Sequence, residues 1–167
     1  MTSPHRAIAA VFAVHGAVAG TLATRLPWIQ DRLDLSPTVL GLALLCPSVG
    51  AFTAMPTASR VAHRIGERRT VRLLIAAWCA ALTLPALAPA PGWLFAAMLL
   101  FGATAGMSDV VMNAHGVAVE REVRRPVMSG LHGLWCVGSL AAGGAGIAAA
   151  HARIDARLHL GLVAVVL

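Results

Sequence analysis

The sequence predicts an all-α membrane protein built from five full membrane-spanning helices and the first part of a sixth. Three observations carry this. Hydrophobic residues make up 58% of the 167 positions while charged residues make up only 12%, about half the share of a soluble globular domain. The apolar residues fall in runs near the ~20 residues that a helix needs to cross the hydrocarbon core. The charges are concentrated between those runs, and all thirteen basic residues are arginine.

The spans follow in order. The first covers about 7–24. The opening Met1–Ala19 resembles a secretory leader, since Ala17-Val18-Ala19 has the small-residue pattern of a cleavage site. Its positive region is thin and the remaining chain is itself apolar, so an uncleaved first span is the expected reading. The second span covers about 38–58. The third, about 72–88, is short and gains a turn if Arg72 snorkels to the interface. The fourth covers 93–119 and the fifth 127–150. A sixth begins near Leu158 and reaches only Leu167, which reads as part of a longer protein whose C-terminal half is absent. Positions 1–167 are expected to form a single transmembrane domain.

Arginine placement orients the bundle. Arg6, the stretch Arg60–Arg72 and the stretch Arg121–Arg125 fall on one side, and Arg25, Arg32, Arg153 and Arg157 on the other. Arginine accumulates in cytoplasmic loops, so the N-terminus and the two dense loops are expected in the cytoplasm. The outward loops are then Leu26–Pro37, Pro89–Gly92 and His151–Arg157. The same rule accounts for the formal charge of +6, and no nucleic-acid partner is expected, because no soluble face interleaves basic and aromatic residues. Cys46, Cys79 and Cys136 each fall in an apolar run without CxxC spacing and read as small buried hydrophobes. No metal site, cofactor or enzymatic activity is expected, since no nucleophile-and-base spacing, phosphate loop or metal cluster is present.

Chemistry concentrates in the fourth and fifth spans. Gly102, Gly106, Asp109, Asn113, Gly116 and Glu120 recur at spacings of four and three, which places them on one helical face. The glycines suit close helix packing. An ionisable group at the bilayer centre costs roughly 2.5–3.5 kcal/mol on insertion scales and usually marks a path for protons, ions or polar solute, so Asp109 with Asn113 is the principal candidate site. The fifth span carries Ser129, His132, Cys136, Ser139, Gly143 and Gly146 on one face. His132 is its most chemically capable member, as an imidazole exchanges protons near neutral pH. His15 lies mid-membrane in the first span, where a satisfied core histidine and a substrate or proton ligand both fit. Arg25, at the outer end of that span, either snorkels to the surface or reaches inward to a carboxylate.

The connection after the second span reads Ser59-Arg60-Val61-Ala62-His63-Arg64-Ile65-Gly66-Glu67-Arg68-Arg69. It resembles the G-x-x-x-D-R-x-G-R-R signature between helices two and three of the major facilitator superfamily. Arg64, Gly66, Arg68 and Arg69 fit that gating loop. Ser59 replaces its first glycine, and His63 replaces the aspartate that helps lock the family's gate. Arg25–Arg32, Asp109–Arg121 and Arg125–Ser129 resemble a bacterial inner-membrane branch related to sugar permeases such as the fucose–proton symporters. The similarity covers nearly the whole chain but only the N-terminal six-helix half of such a protein.

That resemblance implies alternating-access transport of a small polar solute, sugar-like or drug-like, with protons as a candidate coupling ion. Asp109 would take part in coupling or solute binding. Asn113 would hydrogen-bond the solute, with His15, His132 and Arg25 as further candidates. The implied partners are the bilayer, the solute, and a second copy or a separately encoded C-terminal half. A remnant that packs or oligomerises without transporting is the competing expectation.

Overall fold

The computed structural model describes residues 3–167. Its elements are α1 (Ser3–Arg32), α2 (Pro37–Ile65), α3 (Glu67–Ala81), α4 (Leu84–Leu87), α5 (Pro91–Val123), α6 (Met128–His151) and α7 (Ala156–Val166). Among the described residues, α1, α2, α5, α6 and the α3–α4 segment Glu67–Leu87 are long and apolar enough to cross a membrane, whereas α7 is not. The expected all-helical bundle of five crossing helices and a shorter sixth is the one that forms.

The helices outrun the apolar runs that announced them. α1 has 30 residues, or about 45 Å at 1.5 Å per residue. That length matches the bilayer with its headgroup regions, against about 30 Å for hydrocarbon alone. It passes through Pro27, where one lost backbone bond is tolerable near a wet interface. The expected outward loop Leu26–Pro37 therefore contracts to Leu33–Ser36. There Asp34 takes a positive φ of 49°, the Gln30 side chain donates to the Leu35 carbonyl (3.1 Å), and Ser36 caps α2 by accepting from the Val39 N–H.

The arginine-rich connection contracts further, to Gly66 alone between α2 and α3. The sharp turn is made by Gly66, which adopts φ 88° and ψ 143°, a region open essentially to glycine. The third span differs as well: it starts earlier, at Glu67, and breaks after Ala81. Pro85 has no N–H and crowds the carbonyl four residues back, so the helix restarts as the short α4.

Two helix pairs dominate the packing, α1 against α6 and α2 against α5, with α3 laid on α5 and a thinner seam where α1 meets α5. Glycines set both pairs. A Cβ on Gly16 or Gly20 would collide with the α6 backbone at Trp135 or Ser139, and one on Gly102 with the α2 backbone at Pro47. Such contact lets dispersion act between backbones, the main source of helix association where lipid is as apolar as the side chains. The Gly102–Gly106 half of the predicted stripe is thus a packing seam against α2. Gly116 meets Met128 and Leu131 of α6 instead, because α5 crosses from one neighbour to the other. Val18, Leu22, Trp78, Leu82, Leu94, Met98 and Leu160 fill the half of the interior away from the arginine-rich end. Ile8, Phe12, Met112, Val119 and Leu131 fill the arginine-rich end.

Alanine at Gly102 should lower the melting temperature in detergent, by the equivalent of about 1–3 kcal/mol of overpacking. Alanine at Gly144, whose Cβ meets nothing within 4 Å, should leave it unchanged or slightly higher. Equal melting curves for the two variants would contradict backbone contact as the basis of the α2–α5 pair.

Candidate functional site

Asp109 and Asn113 sit one turn apart on α5, both half-buried. The Asn113 amide donates to the Asp109 carboxylate (3.1 Å) and to the Asp109 carbonyl (2.9 Å). One carboxylate oxygen is thereby held in a fixed orientation while the group keeps access to the outside of the bundle. His132, exposed on α6, is near enough for its charge to act on that carboxylate. Its Nδ1 lies 3.0 Å from the Met128 carbonyl. A carbonyl only accepts, so Nδ1 carries a proton. The Phe12 ring meets the imidazole edge-on at 5.2 Å between centroids. Acceptor carboxylate, carboxamide and imidazole thus lie on partly exposed surface where α5 and α6 adjoin.

His15 is placed differently. It is buried, with 6% exposure, at the seam between the two helix pairs. Trp135 Nε1 donates to its Nδ1 (3.0 Å). An indole N–H only donates, so the imidazole proton resides on Nε2, which reaches Ser108 Oγ at 3.1 Å. The Ser108 hydroxyl in turn donates to the Ala105 carbonyl (2.8 Å). The bonds run in one direction through α6, α1 and α5, and both ring nitrogens are used within the bundle. Trp78 lies against the same ring at 3.9 Å between centroids. Both tryptophans inside the spans are therefore engaged with His15.

Arg25 is 2% exposed, so it does not snorkel to the surface. Its guanidinium donates to the Ile154 carbonyl, tying the α6–α7 connection to the C-terminal part of α1. Arg32 binds the Ala88 carbonyl in the same manner. Arg32 and Arg157 also flank the Trp28 ring, at 5.3 and 5.7 Å, as suits an interface tryptophan.

Arg64, Gly66, Arg68 and Arg69 gather at the opposite end, exposed around the α2–α3 turn. Glu67 in that turn approaches His115 of α5 at 3.6 Å.

Sequence reasoning missed Ser108, the donor role of Trp135 and the cap that Glu120 supplies. Glu120 accepts from the Val127 and Met128 N–H groups (2.7 and 3.0 Å), satisfying the first turn of α6. Glu120 lies inside α5, seven and eight residues ahead of its partners, so no local capping pattern announced it. Ser108 gave no signal either, since a serine beside Asp109 looks like any helix residue until α1 is brought against it.

These features coincide with a known family. A model of the Major Facilitator Superfamily matches residues 8–167. The chain belongs to that superfamily. It is 33% identical over 146 residues to an uncharacterised transporter of Sinorhizobium fredii, covering 86% of this chain and 39% of that protein. An uncharacterised MFS-type transporter of Yersinia pestis is 36% identical over 151 residues, 90% of this chain and 37% of the relative. Membrane protein MosC of Rhizobium meliloti is 32% identical over 135 residues, 81% of this chain and 33% of the relative. The chain thus spans little more than a third of the length of these relatives. No solved structure matches it. Membership agrees with the multi-pass helical bundle and with a bilayer as its surroundings.

Ser108→Ala and Trp135→Phe each remove one bond to His15 and should each cost about 0.6–1.7 kcal/mol, the range for interhelical hydrogen bonds in membranes. The double variant should cost less than the sum, since both act through one imidazole. Strict additivity in detergent unfolding would show that the three side chains do not form one network.

Proposed function

We propose that this chain supplies the N-terminal six-helix half of a small-solute transporter, with the open α5–α6 face as its share of the solute site. The unit spans the cytoplasmic membrane of a bacterium with its N-terminus inside, as the arginine distribution favours. Alternating access then rocks this half against a second bundle around a midplane site. The carrying observation is the placement of Asp109, Asn113 and His132: polar, partly exposed, and carried by α5 and α6 from the two helix pairs, with Asn113 orienting Asp109.

Within this reading, Asp109 and Asn113 accept and donate to the hydroxyls of a sugar-like solute, and Asp109 with His132 forms the proton-exchanging pair. His15 is a positioning residue that sets α1 against α5 and α6. Arg25 holds the outward end, and Arg64, Gly66, Arg68 and Arg69 form the inward turn. The transporter names carried by two relatives support the class, and the likeness to fucose-permease-type carriers supports a sugar over a larger solute.

A second reading is a packing membrane protein that moves no solute. Phe52 of α2 and Leu140 of α6, each 76% exposed, favour an apolar surface suited to another bundle or another copy.

The test is uptake of labelled monosaccharides into proteoliposomes, with the chain alone and together with a complementary six-helix half. Asp109→Asn should reduce uptake at least tenfold and abolish any accompanying proton movement, and Asn113→Ala should reduce it less. Membrane insertion should be unchanged in both. If no solute moves in either arrangement, the second reading stands; if both variants transport normally, Asp109 and Asn113 are not the solute and proton site.

A further inference from the structure

At the arginine-rich end, the first turns of α1, the start of α3 and the side of α5 enclose a cleft of about 210 Å³. Arg68, Arg72 and His115 supply its polar lining, and Ile8, Val11 and Val71 part of its apolar lining. No carboxylate lines it among the described residues. Neither Arg68 nor Arg72 forms an ion pair there with a described carboxylate. Arg68 and His115 also line the adjoining hollow, whose carboxylates are Glu67, 3.6 Å from His115, and Glu122.

Two guanidinium groups without a paired carboxylate, beside an imidazole, give this cleft a positive lining. We propose that this cleft binds a phosphate group. Two guanidinium groups match the oxygens of a phosphate in geometry as well as charge, and the imidazole adds a third donor. The depth fits too. Arg68 and Arg72 lie in the first turns of a membrane-crossing helix, at headgroup level, where basic pockets between helices take lipid phosphates. The apolar lining can accept the first carbons of a glycerol ester. Both an anionic phospholipid and a soluble phosphate ester present this chemistry. The site is separate from the α5–α6 face and does not depend on transport.

The experiment uses the full chain in neutral detergent, following melting temperature and lipid retention by native mass spectrometry. The additives are phosphatidylglycerol, phosphatidylcholine and inorganic phosphate. Phosphatidylglycerol should raise the melting temperature and remain bound. Arg68→Gln and Arg72→Gln should each weaken that effect about fivefold, as loss of one arginine at a charged surface does. Arg60→Gln, at the same end but outside the cleft, should leave it intact. Stabilisation by inorganic phosphate with the same arginine dependence assigns the soluble source. Stabilisation by phosphatidylglycerol alone assigns the lipid. If neither additive acts, or Arg60→Gln weakens binding as much as Arg68→Gln and Arg72→Gln, the cleft is not a phosphate site.

Discussion

Backbone-to-backbone contact through glycine is the constraint on which the rest of this structure depends. In hydrocarbon a helix gains little by hiding leucine, so association rests on how closely two backbones can approach. Gly16 and Gly20 bring α1 onto α6, and Gly50, Gly102 and Gly106 bring α2 onto α5. Each pair then behaves as one ridge, and the remaining helices fit around them. The thinner seam between the pairs is where polar side chains become affordable, since their partners lie on the opposite wall.

That seam holds two kinds of polar group with opposite fates. His15 is enclosed, its tautomer fixed by a donor on one side and an acceptor on the other. Asp109 is one residue beyond Ser108, yet a helix turns about 100° per residue, so it leaves the interior and joins Asn113 and His132 on the partly exposed surface. Neighbours in sequence thus serve different ends: Ser108 helps to hold the helices together, and Asp109 stays available. The rigidity of the first is what gives the second a defined position, because an oriented carboxylate needs a fixed scaffold behind it.

Charge is handled by the same economy at the two ends of the bundle. At the end away from the arginine-rich turn, Arg25 and Arg32 direct their guanidinium groups to the carbonyls of Ile154 and Ala88, which closes loops of few residues. On the arginine-rich side the cations remain exposed around Gly66, and the apolar first turns of α1 complete a cleft beside them. Glu120 shows a third use. Its carboxylate caps α6 across the Arg124 turn, where the φ of 53° folds the chain back.

How much of this was legible in the sequence follows from which forces are local. Hydropathy determined the all-helical membrane class and the number of crossing helices, because a bilayer imposes length and polarity on each segment separately; the family was legible in the Ser59–Arg69 turn, which resembles its signature. Asp109 with Asn113 was legible for the same reason, as a carboxylate and a carboxamide one turn apart on an apolar helix. Helix ends were less so: α1 runs eight residues past the end of its predicted span, since water at the interface does not stop a helix. Only the tertiary structure decided that His15 is enclosed by Trp135 and Ser108, that Arg25 binds Ile154, and that Gly102 and Gly116 on one stripe meet different helices. Those partners lie some 90 to 130 residues apart in the chain, and no local periodicity encodes which helix will stand opposite another.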